Sequence, residues 1–261
     1  MKRVGIFFIM FALIVATHGT SIAADRPTTE PAHDASAVKI LDRLEAAGEK
    51  YVTLQADVVH DVMMRLSGDR EVRQGAVAYQ RETTDYPSRF YIRFDTLQQG
   101  AGRRFADKVE YAFDGGMWLT EAKHRIRKIT RYQVARQGQK IEPLRLGKGP
   151  FPLPFGQKTQ DMLEHFEAST RATTANDPAD TDYIKLVTKP QHKDSINFAW
   201  MEMWVDRNTD LPIKIRCEET ASKNYITVTF SKMTMGSTVD EGLFVITPPR
   251  GWQIEVVPLD K

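Results

Sequence analysis

The spacing of apolar residues changes at Lys50, and this change limits the fold more than any other feature. Residues 34–48 repeat apolar side chains every three or four positions. That spacing predicts an amphipathic helix that begins at Asp34 or Ser36 and ends at Gly48. After Lys50 the apolar residues alternate with polar ones, which is typical of strands with one buried face.

The alternating pattern predicts about eleven strands connected by short turns. The turns contain Gly, Asn, Asp and Ser, so neighbouring strands run antiparallel. A short second helix is predicted over 159–168, and a polar loop follows it to residue 182. We expect a mainly β, α+β chain: one strongly curved antiparallel sheet with its helices on one face, in a single domain of residues 34–261. The predicted strands are 51–66, 71–81, 89–95, 105–113, 117–121, 125–134, 183–188, 197–206, 213–219, 225–233 and 252–257.

The first residues have the three parts of a secretory signal peptide. A cationic start precedes an apolar run over 4–16, and the small residues Ser21 and Ala23 follow it. The run is shorter than the roughly 20 apolar residues of a membrane span, so an uncleaved anchor is the less favoured alternative. We expect cleavage after Ala23, which makes 1–23 the signal peptide and 24–33 a flexible leader.

Charge and cysteine content limit which partners and which cellular compartment we expect for the protein. The chain has 36 Lys and Arg against 34 Asp and Glu, and loss of Lys2 and Arg3 with the signal peptide makes the numbers equal. Neither nucleic acid nor an anionic membrane is therefore an expected partner. A single cysteine excludes an intramolecular disulfide, and no N-x-Ser/Thr sequence is present. Export with these features is typical of a bacterial periplasmic protein.

No motif for catalysis, phosphate binding or metal binding is found. The histidines are scattered, and Cys217 alternates with Ile213 and Ile215, which indicates a small buried side chain. Glu202 and Asp206 share one strand face, as solvated carboxylates commonly do. We therefore expect a binding protein without catalytic residues, cofactor or metal.

The remaining unusual features are apolar. Met201 and Met203 alternate on one strand, and flexible methionines suit a surface that accepts variable apolar ligands. Phe151 and Phe155 lie among four prolines in residues 143–157, a segment that can cover an apolar surface. Ordinary core packing is the alternative for the methionines and for Trp118.

Several ordered segments resemble the periplasmic lipoprotein carrier family, LolA. Residues 202–206 (EMWVD) and 209–212 (TDLP) are similar to a late strand of that family and to the turn that follows it. Residues 240–251 (DEGLFVITPPRG) are similar to its closing Leu-Phe strand and Pro-Pro-x-Gly pattern. Residues 109–129 resemble its Asp-Gly-x-x-x-Trp hairpin, here Asp-Gly-Gly-Met-Trp with one residue fewer before the tryptophan.

The resemblance implies an unclosed β-barrel of about eleven strands with helices as a lid. It also implies a monomer that carries acylated lipoproteins or other lipids through the periplasm, between an inner-membrane exporter and an outer-membrane acceptor. Arg93 would hold the lid by donating to carbonyls at its end. The expected lipid-contacting residues are Met201, Met203, Trp118, Phe155, Phe151, Phe94 and Phe113.

A second function fits the same fold. Related architectures serve as lipid-sensing regulators of envelope stress or as periplasmic scaffolds, which bind lipid without carrying it. Segments inserted near the lid make the chain longer than a typical carrier. Because these segments lie near the expected binding site, two kinds of cargo are left open, a lipoprotein or another lipid.

Overall fold

Twelve strands form one sheet in this computed structural model, which describes residues 34–136 and 156–259. The predicted signal peptide 1–23 and leader 24–33 lie outside the described residues. The sheet order is β12-β6-β5-β4-β3-β2-β1-β11-β10-β9-β8-β7. The strands are β1 (Thr53–Met63), β2 (Arg70–Gln80), β3 (Arg89–Gln99), β4 (Phe105–Phe113), β5 (Trp118–Lys123), β6 (Lys128–Gln133), β7 (Phe166–Arg171), β8 (Thr181–Thr188), β9 (Phe198–Asp206), β10 (Pro212–Glu219), β11 (Tyr225–Met235) and β12 (Gln253–Val257).

The sheet consists of two antiparallel meanders that meet at β1 and β11. Strands β1–β6 form one meander and β7–β11 the other. The mainly β, antiparallel fold class is thus confirmed. Two details differ: β12 pairs with β6 in parallel, and β7 is an additional strand. The second helix, α2 (Thr159–His165), ends earlier than predicted because Phe166 and Ala168 alternate in β7 and pair with β8.

The first helix, α1 (Ala35–Lys50), follows the predicted amphipathic pattern. The Asp34 carboxylate accepts a hydrogen bond from the Ser36 N–H at 2.9 Å and caps the helix. Gly48 does not end the helix as predicted, because α1 continues to Lys50. Gly48 instead lies close to a distant part of the chain. A Cβ at Gly48 would lie 3.0 Å from the Gly156 nitrogen, so a glycine allows this close approach.

The apolar face of α1 packs on one face of the sheet, which we call the inner face. A flat sheet of twelve strands would be about 50 Å wide, whereas a helix covers about 10 Å. Nevertheless, one continuous core joins α1 to Leu119 on β5 and to Ile184 on β8. The sheet must therefore curl around the helix, as an unclosed and strongly curved barrel does.

The opposite face, the outer face, carries a second and smaller core. Phe244 and Val239 pack there on Ala78, Tyr91 and Ala112. The expected Leu-Phe strand is instead a 3-10 helix, Glu241–Phe244. Its N-cap residue is Asp240, whose side chain accepts a hydrogen bond from the Gly242 N–H. None of the helices in the described ranges is long and apolar enough to cross a membrane.

Candidate functional site

The inner face is apolar across ten of the twelve strands. Strand pairing aligns its side chains in rows, so that Leu54, Tyr79, Phe90 and Phe113 follow one another across β1–β4. The rows continue across β11–β8. The buried inner-face side chains are Leu54, Ala56, Val58, Val62, Val77, Tyr79, Phe90, Ile92, Phe94, Phe113, Leu119, Phe166, Ala168, Ile184, Leu186, Met201, Met203, Val205, Ile215, Cys217, Ile226, Val228 and Phe230.

Four of the expected lipid-contacting residues lie on this face. Met201 and Met203 on β9 are 0% exposed, and Phe94 and Phe113 belong to the same core. The structure therefore brings these four together under the helices. Their part in lipid binding stays a prediction.

Three residues named with them are placed differently. Trp118 lies on the outer face because its neighbour Leu119 faces the core, and the Arg131 guanidinium is 5.0 Å from its ring. Phe151 and Phe155 lie outside the described residues. Trp118 therefore cannot line an inner-face groove from its position in β5.

Arg93 also lies on the outer face, between the inward-facing Ile92 and Phe94. Its Nε is 3.0 Å from an Asp95 carboxylate oxygen. The side chain lines a shallow outer groove of about 270 Å³ together with Tyr91 and Lys232. This position is across the sheet from α1, so Arg93 does not contact the ends of that helix, and its part in holding a lid stays a prediction.

Two other arginines hold α1, and the sequence patterns did not point to them. Arg81, just after β2, donates from Nη2 to the Glu49 carbonyl at 3.1 Å. Arg43 on α1 pairs with Asp182 on β8, and its Nε is 3.5 Å from Asp210. Each arginine therefore links one part of the helix to the sheet.

Carboxylates complete the attachment of α1. Asp182 receives hydrogen bonds from Arg43 and Arg207; burial alone would raise its pKa, but these hydrogen bonds hold the pKa below its usual value. Glu45 accepts from the Thr159 N–H of α2 at 2.7 Å. These polar contacts lie at the margin of an apolar interface, so α1 is attached along its edge and apolar underneath.

The inner face becomes polar toward β5 and β6. The Glu121 carboxylate is buried and accepts from the Tyr111 hydroxyl at 2.9 Å and the Tyr132 hydroxyl at 3.3 Å. The Lys123 ammonium is 2.9 Å from the same carboxylate. Burial, together with this carboxylate, raises the pKa of Tyr132 to about 12 and the pKa of Tyr111 well above its usual value. The hydroxyls therefore remain protonated donors at neutral pH.

His60 on β1 faces the same interior as Phe94, with the two ring centroids 5.7 Å apart. Burial, with a smaller contribution from the positive charge of Arg73, lowers the pKa of His60 to about 4. His60 is therefore neutral at neutral pH. The inner face thus combines a large apolar area with a smaller polar area that hydrogen-bonds.

Neither a reactive cysteine nor a metal-binding cluster is found among the described side chains. Cys217 is buried on the inner face, and burial raises the pKa of its thiol well above the usual value, so it is not an activated nucleophile. Within residues 34–136 and 156–259, no three His, Cys, Asp or Glu side chains are grouped to hold a metal ion. The apolar inner face with its smaller polar area is chemically suited to an apolar or amphipathic ligand.

Comparison with known proteins finds similarity only among solved structures. No family model matches the sequence, and no curated protein matches it. Similar structures include an outer membrane lipoprotein-sorting protein domain from Vibrio parahaemolyticus, at 10% identity and a TM-score of 0.37, with 80% of this chain and 96% of that chain covered. The lipoprotein LppX of Mycobacterium tuberculosis has 10% identity and a TM-score of 0.46, with 79% and 98% covered.

A third similar structure is the MucA/MucB complex of Pseudomonas aeruginosa, at 16% identity and a TM-score of 0.41. The alignment covers 82% of this chain and 62% of the matched chain, so this protein spans less than two thirds of the length of that relative.

Proposed function

We propose that this protein is a periplasmic carrier that shields acyl chains of lipoproteins or other lipids against the inner face of its curved sheet. The observation that carries the proposal is the continuous apolar inner face under α1. The curved sheet and α1 enclose a large apolar area. Acyl chains can contact the same area. The polar area around Glu121 suits the polar part of an amphipathic ligand.

The way α1 is attached supports reversible enclosure. Arg43 and Arg81 hold it through ion pairs and one hydrogen bond, each worth about 1 kcal/mol or less at partly exposed positions. The helix passes directly into β1 through Tyr51 and Val52. Because only these two residues separate α1 from β1, a movement of α1 would pivot about them and leave β1 in the sheet.

Displacement of α1 also limits affinity in a useful way. Burial of acyl chains contributes about 0.8 kcal/mol per CH₂, so several long chains would exceed the limit of about 20 kcal/mol for non-covalent complexes. A carrier must release its cargo. The free energy needed to separate α1 from the inner face is subtracted from the gain of acyl burial, which keeps the net affinity moderate.

The test is binding of a fluorescent long-chain fatty acid, such as cis-parinaric acid, to the purified protein. Met235 lies on the inner face next to the core, and Val59 is a partly exposed residue of β1 on the outer face. Met235→Asp should weaken binding by about tenfold or more, because it places a charge beside the chains. Val59→Asp is the matched control and should bind as the unmodified protein does.

A transfer assay separates a carrier from the alternative of a lipid-sensing regulator or scaffold. A carrier accelerates movement of labelled lipid from donor to acceptor vesicles, in proportion to its concentration. A sensor binds the same fatty acid without accelerating transfer. Absence of binding, or equal loss in Met235→Asp and Val59→Asp, would contradict the inner-face proposal. Transfer toward the outer membrane, with an exporter and an acceptor as partners, follows from the same proposal.

A further inference from the structure

Among the residues that the structure describes, β12 is the last strand of the sheet, and its outer edge pairs with no other strand. It pairs with β6 in parallel, and the Gln253 N–H donates to the Arg127 carbonyl at 2.9 Å. In a parallel ladder, alternate residues bond to the neighbouring strand. Ile254 and Val256 therefore direct their backbone N–H and C=O away from the sheet, where the described residues place no further strand.

The side chains along this edge are apolar and exposed. Every residue of β12 is exposed, and Ile254 and Val256 are each 54% exposed. Ile126, in the 3-10 helix just before β6, is 61% exposed. Sheet edges of stable proteins are commonly protected by charge, proline or a covering segment. An edge with exposed aliphatic side chains and free backbone groups is instead suited to accept another strand.

The surroundings of the edge are strongly basic. Residues 123–136 contain six Lys or Arg and no Asp or Glu. Arg125, Arg127 and Arg131 are exposed, whereas Lys128 pairs with Glu255 at 2.6 Å. Since the whole chain is nearly neutral, this concentration of positive charge is local. It selects for a partner that carries negative charge.

We propose that the β12 edge binds an extended, acidic segment of a partner protein by strand addition. The outward backbone groups of Ile254 and Val256 would extend the sheet, and their side chains would contact alternate aliphatic residues of the added strand. The guanidinium groups of Arg125 and Arg131 lie over the rings of Phe105 and Trp118, and their positive charge would attract carboxylates of that strand without direct pairing. A phospholipid surface could use the charges and the aliphatic side chains, but only a peptide backbone matches the strand repeat of the unpaired donors and acceptors. The site is separate from the inner face and independent of lipid binding.

The first experiment uses defined peptides and the full chain. A fluorescein-labelled decapeptide of alternating Glu and Val should bind saturably in an anisotropy titration, more weakly at high salt. The same peptide N-methylated along one edge should bind at least about tenfold more weakly, because its backbone cannot complete the ladder. A Lys-Val decapeptide should not bind. Equal binding of the N-methylated or the Lys-Val peptide would overturn the proposal.

The second experiment changes the protein. Val256→Pro removes an outward N–H that is not part of the ladder to β6, so the strand should remain and peptide binding should fall by about tenfold. Val256→Thr, which keeps the N–H and the branched shape, should bind normally. The double variant Arg125→Gln/Arg131→Gln should also weaken binding, whereas Lys39→Gln/Lys193→Gln, at exposed positions on α1 and between β8 and β9, removes the same charge without effect.

Two further outcomes would overturn the proposal in favour of another occupant. One is binding to phosphatidylglycerol vesicles that the double arginine variant abolishes and Val256→Pro leaves unchanged, with no peptide binding. The other is a dimer in analytical ultracentrifugation that Val256→Pro dissociates, again without peptide binding. Should Val256→Pro fail to fold, the N-methylated peptide still tests strand addition on the unmodified protein.

Discussion

The guanidinium of Arg81 donates a hydrogen bond to the backbone carbonyl of Glu49, 3.1 Å away, at the C-terminal end of α1. Cations near this end of a helix satisfy carbonyls that have no partner within the helix and interact favourably with its dipole. This is the contact that the sequence led us to expect from Arg93. Arg81 is therefore the residue that we expect to control the movement of α1.

Arg81→Leu should accelerate release of bound fatty acid while it leaves the free energy of unfolding within about 1 kcal/mol, the size of one exposed hydrogen bond. Stopped-flow release into excess albumin measures the rate, and urea denaturation measures stability. Arg93→Leu makes the same change on the outer face and should release at the unmodified rate. Faster release from Arg93→Leu, with an unchanged rate from Arg81→Leu, would show that Arg93 and not Arg81 holds the lid.

The only cysteine in the chain provides a direct measure of how often α1 leaves the inner face. Cys217 is buried within the core, and on β10 it lies opposite Met201 of the neighbouring strand β9. Its thiol should react slowly with a maleimide unless the core opens. Arg43→Gln removes the ion pairs of α1 to Asp182 and Asp210 and should raise the labelling rate about two- to fivefold, as expected for a loss of 0.5–1 kcal/mol.

Arg207→Gln is the matched control for that measurement. Arg207 donates to the same Asp182 carboxylate at 2.8 Å but does not belong to α1. Its loss should leave the labelling rate of Cys217 nearly unchanged. Equal acceleration in both variants would show that the carboxylate acts on the sheet rather than on the helix.

The sequence predicted the elements better than the faces they present. Helix α1 was predictable because its buried residues repeat at helical spacing and Asp34 can cap it. The end of α1 was not, because the role of Gly48 depends on Gly156, far away in the sequence. Strand β7 was missed because Phe166 and Ala168 continue an acceptable helical pattern, and only pairing with β8 decides for a strand.

Strand alternation separates two faces without indicating which one is inner. On β5 the inner face carries Leu119, Glu121 and Lys123, whereas the outer face carries Trp118. Aromatic character therefore pointed to the wrong face of this strand. Buried polar side chains such as Glu121 become predictable only when their partners, Tyr111 and Tyr132 on neighbouring strands, are known.

Met203 tests how tightly the inner face is packed. Because its side chain is 0% exposed, Met203→Ala should lower the free energy of unfolding by about 2–5 kcal/mol. Met203→Leu nearly conserves the volume and should cost less than about 1.5 kcal/mol. Urea denaturation compares the two. A loss below about 1 kcal/mol for Met203→Ala would indicate a loosely packed site that collapses easily around smaller side chains.

His60 should make the protein less stable in acid. Its pKa falls from 6.5 to about 4 on folding, mainly because of burial, so the unfolded chain binds a proton more readily between these values. The contribution of neutral His60 is fully present above pH 6.5 and is lost as the pH falls toward 4. At 1.36 kcal/mol per pH unit the loss is at most about 3 kcal/mol, and less because His60 is partly exposed. His60→Phe should remove this part of the pH dependence, as Phe also packs against Phe94. Urea denaturation of both proteins at pH 4.5 and pH 7.5 gives the difference. A constant difference between the two pH values would show that His60 is protonated equally in the folded and unfolded states.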